Sequence, residues 1–268
     1  KSAASIRWVL AGLVTAHLAL SALLAQPAHA AWQSNCNTWG KIFFGKYYAH
    51  NSKWGNTNNG WGQGWQCVGR ESTNTSNAWK ADFDWWNNPN ISDDEWHIKA
   101  FPSCVVGWQW GYANSDRGGL PVQLSANKNV TTSWNYSINA SNWKGNAIYD
   151  LWLDWSQNPG GHPTDEIMIF LNYSSGAAPT GGYQGTAYLA GANWNVYKSN
   201  GSWQIISFVR QSQTNSVSNM NIRDFLNYAS QTKNWISRSK YLISVQAGHE
   251  IWRGKGNTQT NSYSLFVS

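Results

Sequence analysis

Three carboxylates stand inside or at the ends of strand-like stretches, and theirs are the residue types and spacings that could do chemistry. Glu166 opens Glu166-Ile167-Met168-Ile169-Phe170-Leu171. Period-two alternation puts Ile167, Ile169 and Leu171 on one face and Glu166, Met168 and Phe170 on the other. The aliphatic face belongs against a second sheet, which leaves Glu166 on an open wall. Asp150 repeats the logic in Tyr149-Asp150-Leu151-Trp152-Leu153, where Leu151 and Leu153 face inward and Asp150 shares its face with Trp152. Glu250 follows the run Leu242 to His249, on the face of Ser244 and Gln246 and opposite Ile243 and Val245. Singly, a strand-end glutamate is usually a solvated rim charge. Together, carboxylates on one polar, aromatic face suit cleavage of a glycosidic bond. One attacks or stabilises the anomeric carbon, and the other protonates the leaving oxygen.

Such carboxylates need a scaffold of strands. Strand-type runs at 96–101, 131–138, 147–155, 166–173, 185–189, 194–198, 203–209, 241–248 and 262–267 are separated by turn signals. Among these are Asn158-Pro159-Gly160-Gly161 and Ser199-Asn200-Gly201, the latter a hairpin signal because Asn-Gly takes positive φ readily. Short strands punctuated in this way read as an all-β sandwich. One segment departs. In 220–233, Ile222, Phe225, Leu226 and Ala229 recur at helical spacing, with Ser218 or Asn219 placed to cap, so one helix packed on the sandwich is expected.

The 268 residues suffice for one large domain. Lys1 and Arg7, an apolar run from Trp8 to Leu24 and the small-x-small end Ala28-His29-Ala30 have the form of a secretory signal peptide cut after Ala30. A single domain over 31–268 and an extracellular location follow as expectations. The formal charge of +6 falls to +4 without residues 1–30, and the bases are scattered, so nucleic acid is not an expected partner. Only 12% of residues are charged, so the surface must consist largely of Asn, Ser, Thr, Gln and Gly. Twenty Trp are too many for a core alone, and an indole in a polar cleft stacks well on the C–H face of a sugar. The three cysteines, Cys36, Cys67 and Cys104, allow three pairings; Cys36 with Cys67 would close a loop of about thirty residues, worth roughly 3–4 kcal/mol. No C-x-x-C or H-E-x-x-H is present, and neither metal nor other cofactor is expected.

With these carboxylates in place, the chain resembles glycoside hydrolase family 12, a family of endoglucanases and xyloglucanases. The resemblance is carried by Asn51-Ser52-Lys53-Trp54-Gly55, Gln66-Cys67-Val68, Tyr149-Asp150-Leu151, Glu166-Ile167-Met168-Ile169, Phe225-Leu226-Asn227-Tyr228 and Gln246-Ala247-Gly248-His249-Glu250, and it spans nearly all of 31–268. It implies a jelly-roll sandwich of two curved antiparallel sheets, with substrate across the concave one. It further implies Glu166 as nucleophile, Glu250 as acid/base, Asp150 supporting Glu166, and a Cys36–Cys67 disulfide that leaves Cys104 free. Trp54 would stack on a sugar, Met168 would pack beneath the ring, and Asn51 and Phe170 would join the substrate contacts. Phe170 stands where the family often has Trp, Ser52 where it has a second Asn, and His249-Glu250-Ile251 replaces Thr-Glu-Pro. Alternation turns His249 away from the cleft, which favours a structural role.

The expected activity is endo-acting, retaining hydrolysis of β-1,4-glucan. The protein would act as a monomer on poly- or oligosaccharide, with no membrane association after signal cleavage. A xyloglucan-specific endoglucanase is the alternative within the enzymes. A carbohydrate-binding sandwich without catalysis is the rival of another class, and there the carboxylates would be dispensable.

Overall fold

The computed structural model describes residues 30–268; the expected signal peptide lies outside them except for Ala30. In chain order the strands begin with β1 (Trp32–Asn35), β2 (Gly40–Phe44), β3 (Tyr47–Ser52), β4 (Gln63–Glu71), β5 (Trp79–Trp86), β6 (Phe101–Gln109), β7 (Tyr112–Ala113) and β8 (Val122–Gln123). They continue with β9 (Val130–Asp154), β10 (Asp165–Tyr173), β11 (Gly182–Leu189), β12 (Ala192–Asn200), β13 (Gln204–Arg210), β14 (Ser216–Asn221), β15 (Tyr241–Gly248) and β16 (Ile251–Val267). A six-residue helix α1 (Trp54–Asn59) follows β3, and α2 (Arg223–Asn227) follows β14.

Two sheets are built on one shared strand. The back sheet runs β1-β4-β5-β16-β9, with β14 on the far side of the first half of β9. The cleft sheet runs β2-β3-β6-β15-β9-β10-β13-β12-β11 and takes the second half of β9. Tyr149, Leu151, Leu153, Ile167, Ile169 and Leu171 point into the core between the sheets, where they meet Val68, Ala81, Trp134, Tyr263 and Leu265. The all-β jelly-roll architecture is therefore present, and alternation assigned the inward faces of β9 and β10 correctly.

Four local expectations change. Of the expected strand 96–101 only Phe101 is in a strand, the first residue of β6, because the buried Asp94 carboxylate accepts the backbone N–H groups of Gly62 and Asn88 and pairs with buried Lys99, which folds the preceding residues into a turn. The strand lies further on, in β6, buried on both faces and so without alternation. The β12–β13 hairpin forms at the Ser199-Asn200-Gly201 signal, but neither Asn200 nor Gly201 has positive φ; Gly201 N–H donates to the Trp203 carbonyl instead. The expected helix forms over 223–232, α2 continuing as a π-helical turn (Tyr228–Thr232), and at its start Asn221 Oδ1, in place of Ser218 or Asn219, accepts the Arg223 N–H at 3.2 Å. Finally, β10 and β13 pair in parallel within the otherwise antiparallel sheet, a pairing that bears directly on the site.

Candidate active site

The second half of β9 is the axis of the site. β10 on one side brings Glu166 opposite Trp152, and β15 on the other brings Gln246 opposite Asp150. Both pairings keep the polar members on the cleft face. Glu250 lies two residues beyond β15 and is fixed by Asn146 at the start of this β9 segment. Glu250 N–H donates to Asn146 Oδ1 at 3.0 Å, Asn146 N–H donates to the Glu250 carbonyl at 3.1 Å, and Asn146 Nδ2 donates to Glu250 Oε2 at 2.5 Å. The turn into Glu250 needs Gly248, since a Cβ there would stand 2.4 Å from the Pro102 carbonyl oxygen.

These elements enclose a cavity of about 690 Å³ that contains Asp150, Glu166 and Glu250 together. Its walls are aromatic: Trp39 and Trp54 on one part, Trp110, Trp152 and Trp203 on another. Gln109 and Gln246 add amides. Tryptophan divides between both roles that composition left open. Trp79, Trp85, Trp108, Trp134 and Trp194 are buried, whereas Trp65 and Trp86 are exposed on the back sheet.

Protonation within the triad follows from its contacts. The Asp150 and Glu166 carboxyls influence each other's titration, and because neither offers an N–H, a hydrogen bond between them requires a proton on one of the two. Asp150 Oδ2 accepts the Trp152 indole N–H at 3.0 Å, while its Oδ1 has no N–H donor. Burial, then the charges of Glu166 and Glu250, push Asp150 well above the usual carboxylate range. Burial also raises Glu166, but the Trp203 N–H, donated to Glu166 Oε2 at 2.7 Å, and the Asp150 contact both oppose the rise. Asp150 therefore holds the proton and Glu166 the charge. Burial pushes Glu250 up to about 8, with the Glu166 charge adding to it and the Asn146 contact working against it. At neutral pH Glu250 is therefore an acid, and Glu166, with two contacts opposing its rise, is the more readily ionised of the two.

The other expected site residues are placed unevenly. Trp54 lines the cavity from α1, and Ser52 lines it from the end of β3. Met168 and Phe170 are buried in a cluster with Phe101, Ile148 and Val209; Phe101 and Ile148 line the cavity, so Met168 and Phe170 support its floor. Asn51 is a correction. It is fully buried, and its amide donates to the Asn37 and Gln66 carbonyls while its Oδ1 accepts from Gln66 Nε2, so it secures the N-terminal segment and does not reach the cleft. His249 turns away from the cleft and packs against the rings of both Trp134 and Tyr136, with burial lowering its pKa to about 3 and so holding the imidazole neutral. Cys36 and Cys67 are bonded, and Cys104 is free and buried. The sequence reading missed Asn146 and Trp203. Alternation through Trp203, Ile205, Ser207 and Val209 was a signal that could have placed Trp203 on the cleft face.

A curved β-sandwich with an aromatic cavity around buried carboxyls defines a glycoside hydrolase. Residues 45–268 match the family described as Glycosyl hydrolase family 12, and the chain belongs to that family. It is 38% identical over 257 residues to endoglucanase S of Pectobacterium parmentieri, covering 92% of each. Over 239 residues it is 34% identical to the xyloglucan-specific endo-beta-1,4-glucanase A of Emericella nidulans, covering 87% of this chain and 90% of that one. Among solved structures it resembles the family 12 xyloglucanase from Bacillus licheniformis, with TM-score 0.77 and 35% identity over 89% of this chain and 100% of that one.

Proposed function

We propose that this protein, an endo-acting β-1,4-glucan hydrolase, cleaves by a retaining double displacement with Glu166 as nucleophile and Glu250 as acid/base. The observation that carries the roles is the unequal environment of the two glutamates. Glu166 has two contacts that favour its charge, and Glu250 is held protonated up to about 8. Ionised Glu166 attacks the anomeric carbon while Glu250 gives its proton to the leaving oxygen. Glu250 then takes a proton from water as that water opens the glycosyl-enzyme. Asp150 donates to Glu166 and keeps its lone pair aimed at the sugar. Trp54 stacks on a sugar ring, and the Met168 and Phe170 cluster supports the floor.

Proton NMR of the first product from a defined cello-oligosaccharide tests the stereochemistry. A β-anomer appearing first is expected; an α-anomer first rules the mechanism out. The unbranched glucan backbone is the preferred reading, with xyloglucan as the second, supported by the xyloglucan-specific relative and structural neighbour. New reducing ends from barley β-glucan, carboxymethylcellulose and xyloglucan separate the two, and no product from any of them favours a binding protein. Secretion as a monomer belongs to the same reading. The Cys36–Cys67 bond suits an oxidising compartment, and no helix among the described residues is long and apolar enough to cross a membrane.

A further inference from the structure

The two indoles that donate to the acid pair belong to a larger aromatic cluster. Trp110, Trp152, His162 and Trp203 all line the cavity. The Trp203 and Trp152 rings meet edge to face at 5.7 Å, and His162 stacks on Trp203 at 5.2 Å with the planes 18° apart. Trp110 meets the edge of His162 at 4.8 Å. Each of the two touching indoles gives its N–H to one acid: Trp203 to Glu166 Oε2 at 2.7 Å and Trp152 to Asp150 Oδ2 at 3.0 Å. Among the described residues no other N–H donates to the Glu166 carboxylate.

The parallel β10–β13 pair explains how Trp203 gets there. Ile205 lies beside Glu166, and Trp203, two residues earlier, shares its face. The intervening residue is pinned: Gln204 N–H donates to the Thr164 carbonyl at 3.1 Å, and Gln204 Nε2 donates to Asp165 Oδ1 at 2.7 Å. An antiparallel pairing in this place would carry the hairpin end away from Glu166.

We propose that Trp203 is a positioning residue for Glu166, that its indole N–H keeps the carboxylate ionised and aimed, and that His162 holds the indole in place. This inference rests on Glu166 being the nucleophile. A hydrogen bond to an ionised acceptor is about twice as strong as a neutral one, and it favours the charged form. Its influence is needed because everything else around Glu166 works against charge or leaves it unassisted. Burial raises its pKa, and only the Asp150 contact acts with Trp203 against that rise. The remaining titratable groups on the cavity wall are His162, His50, Lys41 and Tyr112. Burial holds His50 neutral, its pKa lowered to about 3.

The test follows trapping of the enzyme by a 2-deoxy-2-fluoro-β-cellobioside carrying a dinitrophenolate leaving group. That group departs without protonation, so kinact/KI against pH reports the nucleophile alone. Peptide mass spectrometry locates the label. In wild type and in Trp203→Phe the label is expected on Glu166. In Trp203→Phe the acid limb moves up by about one unit, so trapping is about tenfold slower below the limb and converges on wild type above it. Trp203→Tyr, which returns a donor, recovers part of the shift, and His162→Ala shifts the limb the same way by less. If Trp203→Phe slows trapping equally at every pH, or not at all, the proposal is overturned. A label on another residue overturns the nucleophile assignment instead. Should Trp203→Phe not fold, His162→Ala carries the same test, and an unmoved limb there counts against the proposal.

Discussion

Glu166 and Glu250 flank the same strand and are about equally buried, at 7% and 9% exposure, yet they are built for opposite states. Burial raises both, so burial does not separate them. The separation comes from partners. Glu166 receives an indole N–H and a carboxyl proton. Glu250 receives one amide from Asn146 and faces the charge that Glu166 keeps. Two identical side chains thus come to favour opposite protonation states through the placement of about two donors and one charge.

Removing the charged member should have the largest effect. Glu166→Ala should lower kcat on β-glucan by about 10⁵-fold, the scale of losing a nucleophile that acts within a unit. Added azide should restore turnover and yield an α-glycosyl azide; persistence of full activity would sink the comparison at its root. Next comes the acid. Glu250→Gln should cost about 10²–10⁴-fold on polysaccharide. The bond-breaking step with a dinitrophenyl cellobioside should be nearly unaffected, and an equal loss on both substrates would show that Glu250 is not the proton donor.

The same substitution sharpens the comparison through stability. A carboxyl whose pKa rises on folding from about 4.5 to about 8 favours the fold below the lower value, and this contribution is lost as pH rises to the upper one. Glu250→Gln should therefore stabilise the inactive protein by about 3 kcal/mol at pH 7 and by almost nothing at pH 4, as read by denaturant unfolding. An equal change at both pH values contradicts the assigned environment. The smallest effect lies next door. His249 is lowered from 6.5 to about 3, so the unfolded chain binds a proton that the folded one refuses, and stability falls as pH drops below 6.5. Between pH 7 and 5 the wild type should lose about 2 kcal/mol more than His249→Gln. Parallel losses would place His249 in contact with water.

Alternation was enough to orient β9 and β10, because each buries one aliphatic face and carries its acids on the other. It failed for β6, where Ser103, Cys104, Val105, Val106 and Gly107 are all buried and no face is polar. It also missed α1, whose Gly and Asn residues are poor helix formers. That turn is held by Asn56 Nδ2 donating to the Trp61 and Gly62 carbonyls and by Gly60 in the left-handed region at φ 72°. Asn51 was misplaced because its family position was legible and its orientation was not. Trp203 was missed because its importance depends on a parallel pairing between segments nearly forty residues apart, and no local pattern encodes that.

β9 runs unbroken for 25 residues through both sheets, and β16 joins it one residue after Glu250. Neither layer can therefore peel away alone: loosening the back sheet disturbs the strand that carries Asp150, and freeing Glu250 starts to unzip the β9–β16 ladder. In native-state hydrogen exchange the amides of β9 and β16 should open together in the slowest cooperative unit, while residues 155–164, which carry His162, open early. The acid would then be fastened to the most durable part of the molecule, and the brace of the nucleophile to one of the least.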